Sequence, residues 1–220
     1  MASVGLLYVG AVLLINGLML LGLIPGKSAA PLNFFVGGMQ VIFPTVILIQ
    51  AEGDPAVTFA AAGLYLFGFT YLYVGLTQVT GVGPEGLGWF SLFVAVSAVV
   101  IGTLQFTLVS DPVFGVIWYL WAVLWLLFFL VLALGREPLT RVTGWFAAIG
   151  GQLTATLPAF LLLTGAYVSN AGTAAAMALA GTAALALSFY LGRQPAPQIK
   201  GQDEDPARPV PGFAVSPAVP

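Results

Sequence analysis

The chain has 220 residues, of which 60% are hydrophobic and only 6% are charged. Soluble domains carry about a quarter charged residues, so this composition excludes a soluble protein and indicates an integral membrane protein. The sequence has no Cys and no His, which excludes disulfides and thiolate sites and removes the commonest metal ligand. We therefore expect neither a metal nor a cofactor.

Apolar runs of about 20 residues, long enough to cross about 30 Å of hydrocarbon, indicate transmembrane helices. Seven such runs lie at about residues 4–24, 31–50, 56–79, 88–109, 113–134, 142–165 and 171–191. The first run lacks the basic segment of a secretory signal, so we interpret it as a retained helix. The connections are short, and the predicted fold class is all-α, with one bundle of seven transmembrane helices over residues 1–192.

The segment 193–220 is rich in proline and carries an acidic cluster at 202–205. Such a segment cannot bury enough apolar surface to offset the entropy lost on ordering. We predict that it is a disordered tail.

Every charged side chain lies in a gap between the apolar runs or in the tail. Charges inside a membrane are costly and usually mark ion or proton pathways, so their absence predicts a neutral solute. Lys27, Arg136 and Arg141 fall in gaps on the same side as the basic tail. The positive-inside rule therefore places the N-terminus outside and the C-terminus in the cytoplasm.

The fifth run carries a column of aromatic residues, Phe114, Trp118, Trp121 and Trp125, spaced by four, three and four positions. At about 100° per residue they share one helix face over about 16 Å. A single Trp is usually interfacial or faces lipid, but a column that reaches mid-depth favours lining or core packing.

Two other runs repeat this arrangement on a smaller scale. Their aligned residues are Leu6, Val9, Leu13 and Asn16 on the first run, and Phe67 and Tyr71 on the third. Ordinary helix packing explains each set alone. Together with the aromatic column they predict a lumen with flat apolar and aromatic walls and a few hydroxyl and amide groups.

Ordered motifs from the first run through the sixth resemble the AmiS/UreI family of urea and short-chain amide channels. They are Leu6-Leu7-Tyr8-Val9-Gly10, Asn16-Gly17, Asn33-Phe34-Phe35-Val36-Gly37-Gly38, Leu66-Phe67-Gly68-Phe69-Thr70-Tyr71-Leu72-Tyr73, Trp89-Phe90-Ser91-Leu92-Phe93-Val94-Ala95 and Val123-Leu124-Trp125, with Trp145, Leu153-Thr154-Ala155 and Pro158-Ala159 in the sixth run. The resemblance implies a passive channel of the bacterial inner membrane, assembled as a homohexamer with a separate pore in each protomer. It also implies small neutral amides or urea as solutes, and a cytoplasmic amidase or urease working alongside.

By this resemblance, roles in lining the constrictions carry over to Leu6, Val9, Leu13, Phe67, Tyr71, Trp118, Trp121, Leu124 and Trp125. Phe114 occupies a matching aromatic place. Leu124 is added by the resemblance alone, whereas Asn16 comes from the helix face described above.

Three departures from the family pattern stand out. Gly150 occupies the place of a glutamate in the gastric urea channel, so we expect a lumen that is wider or less polar there. The short loop 51–55 replaces a histidine-bearing external loop, so acid gating by histidine cannot operate. A seventh run rich in Ala, Gly and Thr is appended, a composition that suits close helix packing.

Three other functions fit the sequence to different degrees. A retinal photoreceptor needs a Lys within a span for its Schiff base, but Lys27 and Lys200 lie in a gap and in the tail. An intramembrane enzyme would have no evident general base, so no enzyme is expected. A coupled carrier or a non-conducting sensor of small amides stays open as an alternative to a channel.

Overall fold

A computed structural model describes residues 2–194. Within that range seven helices are long and apolar enough to cross a membrane. We number them spans 1 to 7: Ala2–Leu20, Gly26–Gln50, Pro55–Thr80, Glu85–Val109, Pro112–Leu132, Glu137–Leu163 and Ala171–Gly192. In hydrocarbon every backbone polar group needs an internal partner, which a helix supplies within its own segment. The predicted all-α bundle of seven spans is confirmed.

Two of the spans are not uniform α-helices. Span 4 is an α-helix over Glu85–Leu104 and ends in a π-helical turn, Gln105–Val109. Span 6 consists, in order, of a short 3-10 turn Glu137–Leu139, an α-helix Thr140–Gly151, a π-helical turn Gln152–Thr156 and an α-helix Leu157–Leu163. Such π-helical turns often occur at functional sites because they redirect the side chains around them.

The ends of several spans differ from the predicted limits. Span 2 begins at Gly26, so Lys27 lies in the first helical turn and not in a loop. Pro31, where the run was expected to begin, lies inside the helix, as membrane helices tolerate. Span 1 ends at Leu20, and Arg141 belongs to the helix of span 6.

The first six spans surround the centre of the bundle, and span 7 packs outside them against spans 5 and 6. Gly181 of span 7 lies so close to Leu120 of span 5 that a Cβ there would overlap the leucine side chain. Small residues permit this approach of two helices. Beyond Gln194, the predicted disordered tail lies outside the described residues and stays a prediction.

An odd number of spans puts the two ends of the chain on opposite sides of the bundle. We call the end where span 1 begins the N-side and the opposite end the C-side. On the N-side, one oxygen of Asp111 accepts hydrogen bonds from the Phe114 amide (3.0 Å), the Tyr167 hydroxyl (2.8 Å) and the Ser169 hydroxyl (2.6 Å). Burial, and then the hydrogen bond and charge of Asp111, raise the pKa of Tyr167, which keeps its hydroxyl protonated. This contact ties the connection between spans 6 and 7 to the start of span 5.

Candidate functional site

Two cavities lie along the centre of the bundle. The N-side cavity has a volume of about 300 Å³ and is lined by all of the first six spans. The C-side cavity, of about 20 Å³, is lined by residues of spans 1, 3, 4 and 5. Phe67 and Trp121 line both cavities, so these two side chains stand between them.

The partition between the cavities is a cluster of four aromatic rings. The ring centroid of Phe67 lies 4.7 Å from those of Trp121 and Trp125 and 5.8 Å from that of Trp118. Their planes meet at 60° to 80°, the edge-to-face arrangement that aromatic pairs favour. Each ring holds its neighbours in place, and none of the four residues is more than 6% exposed.

Most of the residues singled out in the sequence face these cavities. Leu6, Val9, Phe114 and Trp118 line the N-side cavity, and Leu13, Asn16, Tyr71, Leu124 and Trp125 line the C-side cavity. The aromatic column of span 5 therefore points into the bundle along its whole length and not toward lipid.

Gly150 is placed differently. It lies on the far side of Trp121 and Leu124, where it lines a separate cavity of about 10 Å³ together with Phe146 and Thr154. A Cβ at this position would stand 3.3 Å from the Phe146 ring. The missing side chain at Gly150 thus leaves space behind the wall of the lumen, and not within either of the two larger cavities.

The same region anchors the indole of Trp121. Its N–H donates a 2.9 Å hydrogen bond to the hydroxyl of Thr154, which in turn donates to the Gly150 carbonyl at 2.6 Å. Thr154 belongs to the π-helical turn of span 6. The N–H of Trp121 is therefore used to fix the ring and is not available to a solute.

Asn16 is also engaged with a neighbouring helix. Its amide donates to Asn33 at 2.9 Å and accepts from it at 2.7 Å, and Asn33 donates further to the Ala29 carbonyl at 3.0 Å. This reciprocal pair joins spans 1 and 2 beside the C-side cavity. Asn16 keeps only one N–H and part of its acceptor capacity for anything inside the cavity.

The C-side cavity does contain one unused hydroxyl. Tyr71 is 2% exposed, and its oxygen has no hydrogen-bond partner among residues 2–194. Two other hydroxyls line this cavity, those of Thr70 and Ser91, but each donates to a carbonyl of its own helix. Tyr71 is therefore the hydroxyl placed to donate to a solute, whereas Thr70 and Ser91 retain acceptor lone pairs.

The N-side cavity has polar residues that sequence reasoning missed. The side chains of Gln40 in span 2 and Gln105 in span 4 line it, and Gln40 is 1% exposed. An uncharged amide in a mostly apolar span was the available signal, and nothing in the sequence showed which way it pointed.

Six membrane-crossing helices around an uncharged aromatic lumen, with a seventh packed outside them, define a class, the multi-pass membrane transport proteins. The N-terminal part of the chain, residues 1–166, matches the model of the AmiS/UreI family of transporters. The chain belongs to this family, which confirms the resemblance seen in its motifs. Span 7 lies beyond the matched residues.

Named relatives agree with this assignment. The chain is 62% identical to transporter protein AmiS2 of Rhodococcus erythropolis over 178 residues, covering 81% of this chain and 86% of that one. It is 54% identical to an amidate substrates transporter protein of Mycolicibacterium smegmatis over 194 residues, covering 88% and 91%. The solved urea channel of Helicobacter pylori is 36% identical, with a TM-score of 0.69 over 76% of this chain and 100% of that one. The protein is therefore a bacterial membrane transport protein and not an enzyme.

Proposed function

We propose that this protein is a passive channel for urea or short-chain aliphatic amides such as acetamide, conducting through the lumen of each protomer. The partition of Phe67, Trp118, Trp121 and Trp125 between two uncharged cavities is the observation that carries the proposal. A planar neutral molecule can slide between such rings, and dispersion contacts then replace part of its hydration.

Hydrogen bonds from the protein determine how much of its hydration an amide solute can lose. An amide left without partners in an apolar medium costs on the order of 4 kcal/mol or more, so polar groups near the partition matter. The hydroxyl of Tyr71 lies on the C-side of the partition and is free to bond to a solute. Ions would lose their hydration with no charged side chain to replace it, which supports selectivity for neutral solutes.

The relatives bear on which solute is preferred. Identity is higher to transporter protein AmiS2, at 62%, and to the amidate substrates transporter protein, at 54%, than to the urea channel, at 36%. This difference favours short-chain amides over urea as the main solutes. A cytoplasmic amidase would then consume what enters, with a urease as the counterpart for urea.

We further propose a homohexamer with the N-terminus outside the cell. The likeness to the solved urea channel supports the assembly. The charges support the orientation, because the basic residues of the described range, Lys27, Arg136, Arg141 and Arg193, all lie at the C-side. Of the acidic residues in that range, Glu52, Asp54 and Asp111 lie at the N-side, and Glu85 and Glu137 lie at the C-side. By the positive-inside rule the C-side faces the cytoplasm.

Swelling of liposomes that contain the purified protein tests the proposed function. We expect permeability to urea and acetamide well above that of protein-free liposomes, proportional to solute concentration and independent of proton or sodium gradients. Saturation together with a dependence on either gradient would identify a coupled carrier. Flux equal to that of protein-free liposomes would favour a sensor.

A further inference from the structure

Gln40 of span 2 carries a polar amide group that has no role in the channel as proposed above. Its side chain lines the N-side cavity, yet the residue is only 1% exposed. The carbonyl oxygen of its amide, Oε1, is buried and has no hydrogen-bond partner among residues 2–194. Nearly all buried polar side-chain atoms in proteins are hydrogen-bonded, so an exception calls for an explanation.

The cavity that the Gln40 side chain lines has room for a partner. Its volume of about 300 Å³ is far larger than the roughly 30 Å³ that one water molecule occupies in the liquid. Gln40 lies on the N-side of the partition, and Tyr71 lies on the C-side. Each of the two cavities therefore contains one buried polar group without a partner.

Two glycines on neighbouring spans build the niche that holds Gln40. A Cβ at Gly68 of span 3 would stand 3.0 Å from the backbone carbonyl oxygen of Gln40, so only glycine lets span 2 approach there. A Cβ at Gly5 of span 1 would overlap Oε1 itself. The atoms nearest to such a Cβ at Gly5 all belong to side chains, those of Gln40 and Phe43. The absence of a side chain at Gly5 thus sets the position of the amide.

We propose that Gln40 binds the solute in the N-side cavity, its Oε1 accepting an N–H of urea or of a primary amide. This inference rests on the proposed channel function and adds a binding residue to it. The solute replaces part of its hydration with a hydrogen bond to Gln40 before it reaches the rings of Phe67 and Trp121. Beyond these rings it can form a hydrogen bond with the hydroxyl of Tyr71. Solutes without an N–H donor gain nothing from this residue.

Replacement of Gln40 by Met keeps the length of the side chain and removes its hydrogen-bonding groups. We expect Gln40→Met to lower urea and acetamide permeability in proteoliposomes by about three- to tenfold, the effect of one lost hydrogen bond. The matched control is Gln78→Met, a glutamine in span 3 close to Gly26 and outside the linings of both cavities. The control should conduct like the unchanged protein.

A second variant moves the amide without removing it. Gly5→Ala places a methyl group where Oε1 lies, so it should also lower permeability, but only while Gln40 is present. In a Gln40→Ala background, Gly5→Ala should have no further effect. This pair of measurements separates a role in binding from a general disturbance of helix packing.

The outcomes distinguish this inference from the proposed function. If the unchanged protein conducts neither urea nor acetamide, the channel proposal fails and this inference fails with it. If the unchanged protein conducts and Gln40→Met conducts equally well, only the role of Gln40 is overturned. If Gln40→Met does not assemble, the comparison of Gly5→Ala with and without Gln40 decides. An equal loss of permeability with Gln40 and with Gln40→Ala rejects the inference.

Discussion

The indole N–H of Trp121 in span 5 is held by the hydroxyl of Thr154 in span 6, at 2.9 Å. Trp121 lines both cavities, whereas Thr154 faces neither of them and lies in the small space behind the ring. A residue outside the lumen therefore fixes the orientation of a ring in the partition between the two cavities, and this residue belongs to the π-helical turn of span 6.

Thr154→Val should loosen this ring, because valine has nearly the shape of threonine but cannot accept the indole N–H. We expect the propionamide to urea permeability ratio to rise, and the protein to lose about 1 kcal/mol of stability. Thr164→Val is a suitable control, since Thr164 directly follows span 6 and its hydroxyl bonds only to carbonyls of that span. An unchanged ratio in Thr154→Val, at a normal yield of assembled protein, would show that the anchor does not shape selectivity.

Trp121→Ala tests the partition directly. Loss of the indole leaves a void next to the lumen that water can enter, so the limit on solute size should relax while the protein still folds. Trp89→Ala removes the same side chain from an outward position, where Trp89 is 57% exposed. The size limit of liposome swelling should change only in the first variant. Equal behaviour of the two would place Trp121 outside the solute path.

Gly150→Glu introduces a long side chain with a carboxyl group at a position that has no side chain. Here it must fit behind Trp121 and Leu124, in a cavity of about 10 Å³. We expect it to push these side chains toward the lumen, so that propionamide permeability falls more than urea permeability.

The control for this substitution is Gly150→Ala, whose Cβ would stand 3.3 Å from the Phe146 ring and needs only a small adjustment. The ratio of the two solutes should stay unchanged in the alanine variant. A loss of assembled protein in Gly150→Glu, or a normal ratio at normal yield, contradicts the expected displacement.

Permeation should be nearly independent of pH between 5 and 7. The chain has no His, and the spans place no charged side chain in the lumen. Free carboxylates titrate near pH 4 and tyrosine and lysine near pH 10, so this window contains no unperturbed side-chain group that changes charge. Urea flux at both ends of the window, measured in the same liposomes, checks the expectation. A steep rise at acid pH would reveal a titrating gate.

Much of the architecture was readable from the sequence because it depends on local pattern. The length of an apolar run predicts a span, and the four-three-four spacing of Phe114, Trp118, Trp121 and Trp125 predicts a shared helix face. The apolar run predicts a start of span 2 at about residue 31, but the helix begins at Gly26 and contains Pro31, which a membrane helix accepts.

The details of the lumen were not readable, because they depend on which helices meet. Asn16 was expected to serve a solute, but its partner Asn33 lies on another helix and takes most of its hydrogen-bonding capacity. The inward direction of Gln40 and the position of Gly150 behind Trp121 also depend on how the spans pack against each other. Neither follows from spacing within a single span, since each is set by contacts between spans.

The partition of Phe67 and its three tryptophans has a consequence for the energy supply of the cell. Protons move quickly along unbroken chains of hydrogen-bonded water molecules. A constriction of apolar aromatic side chains, such as this partition, interrupts such a chain. Amide molecules cross this barrier singly, each carrying its own polar groups, whereas a proton finds no relay between Tyr71 and the N-side cavity. The membrane can thus remain electrically insulating while neutral amides cross the partition.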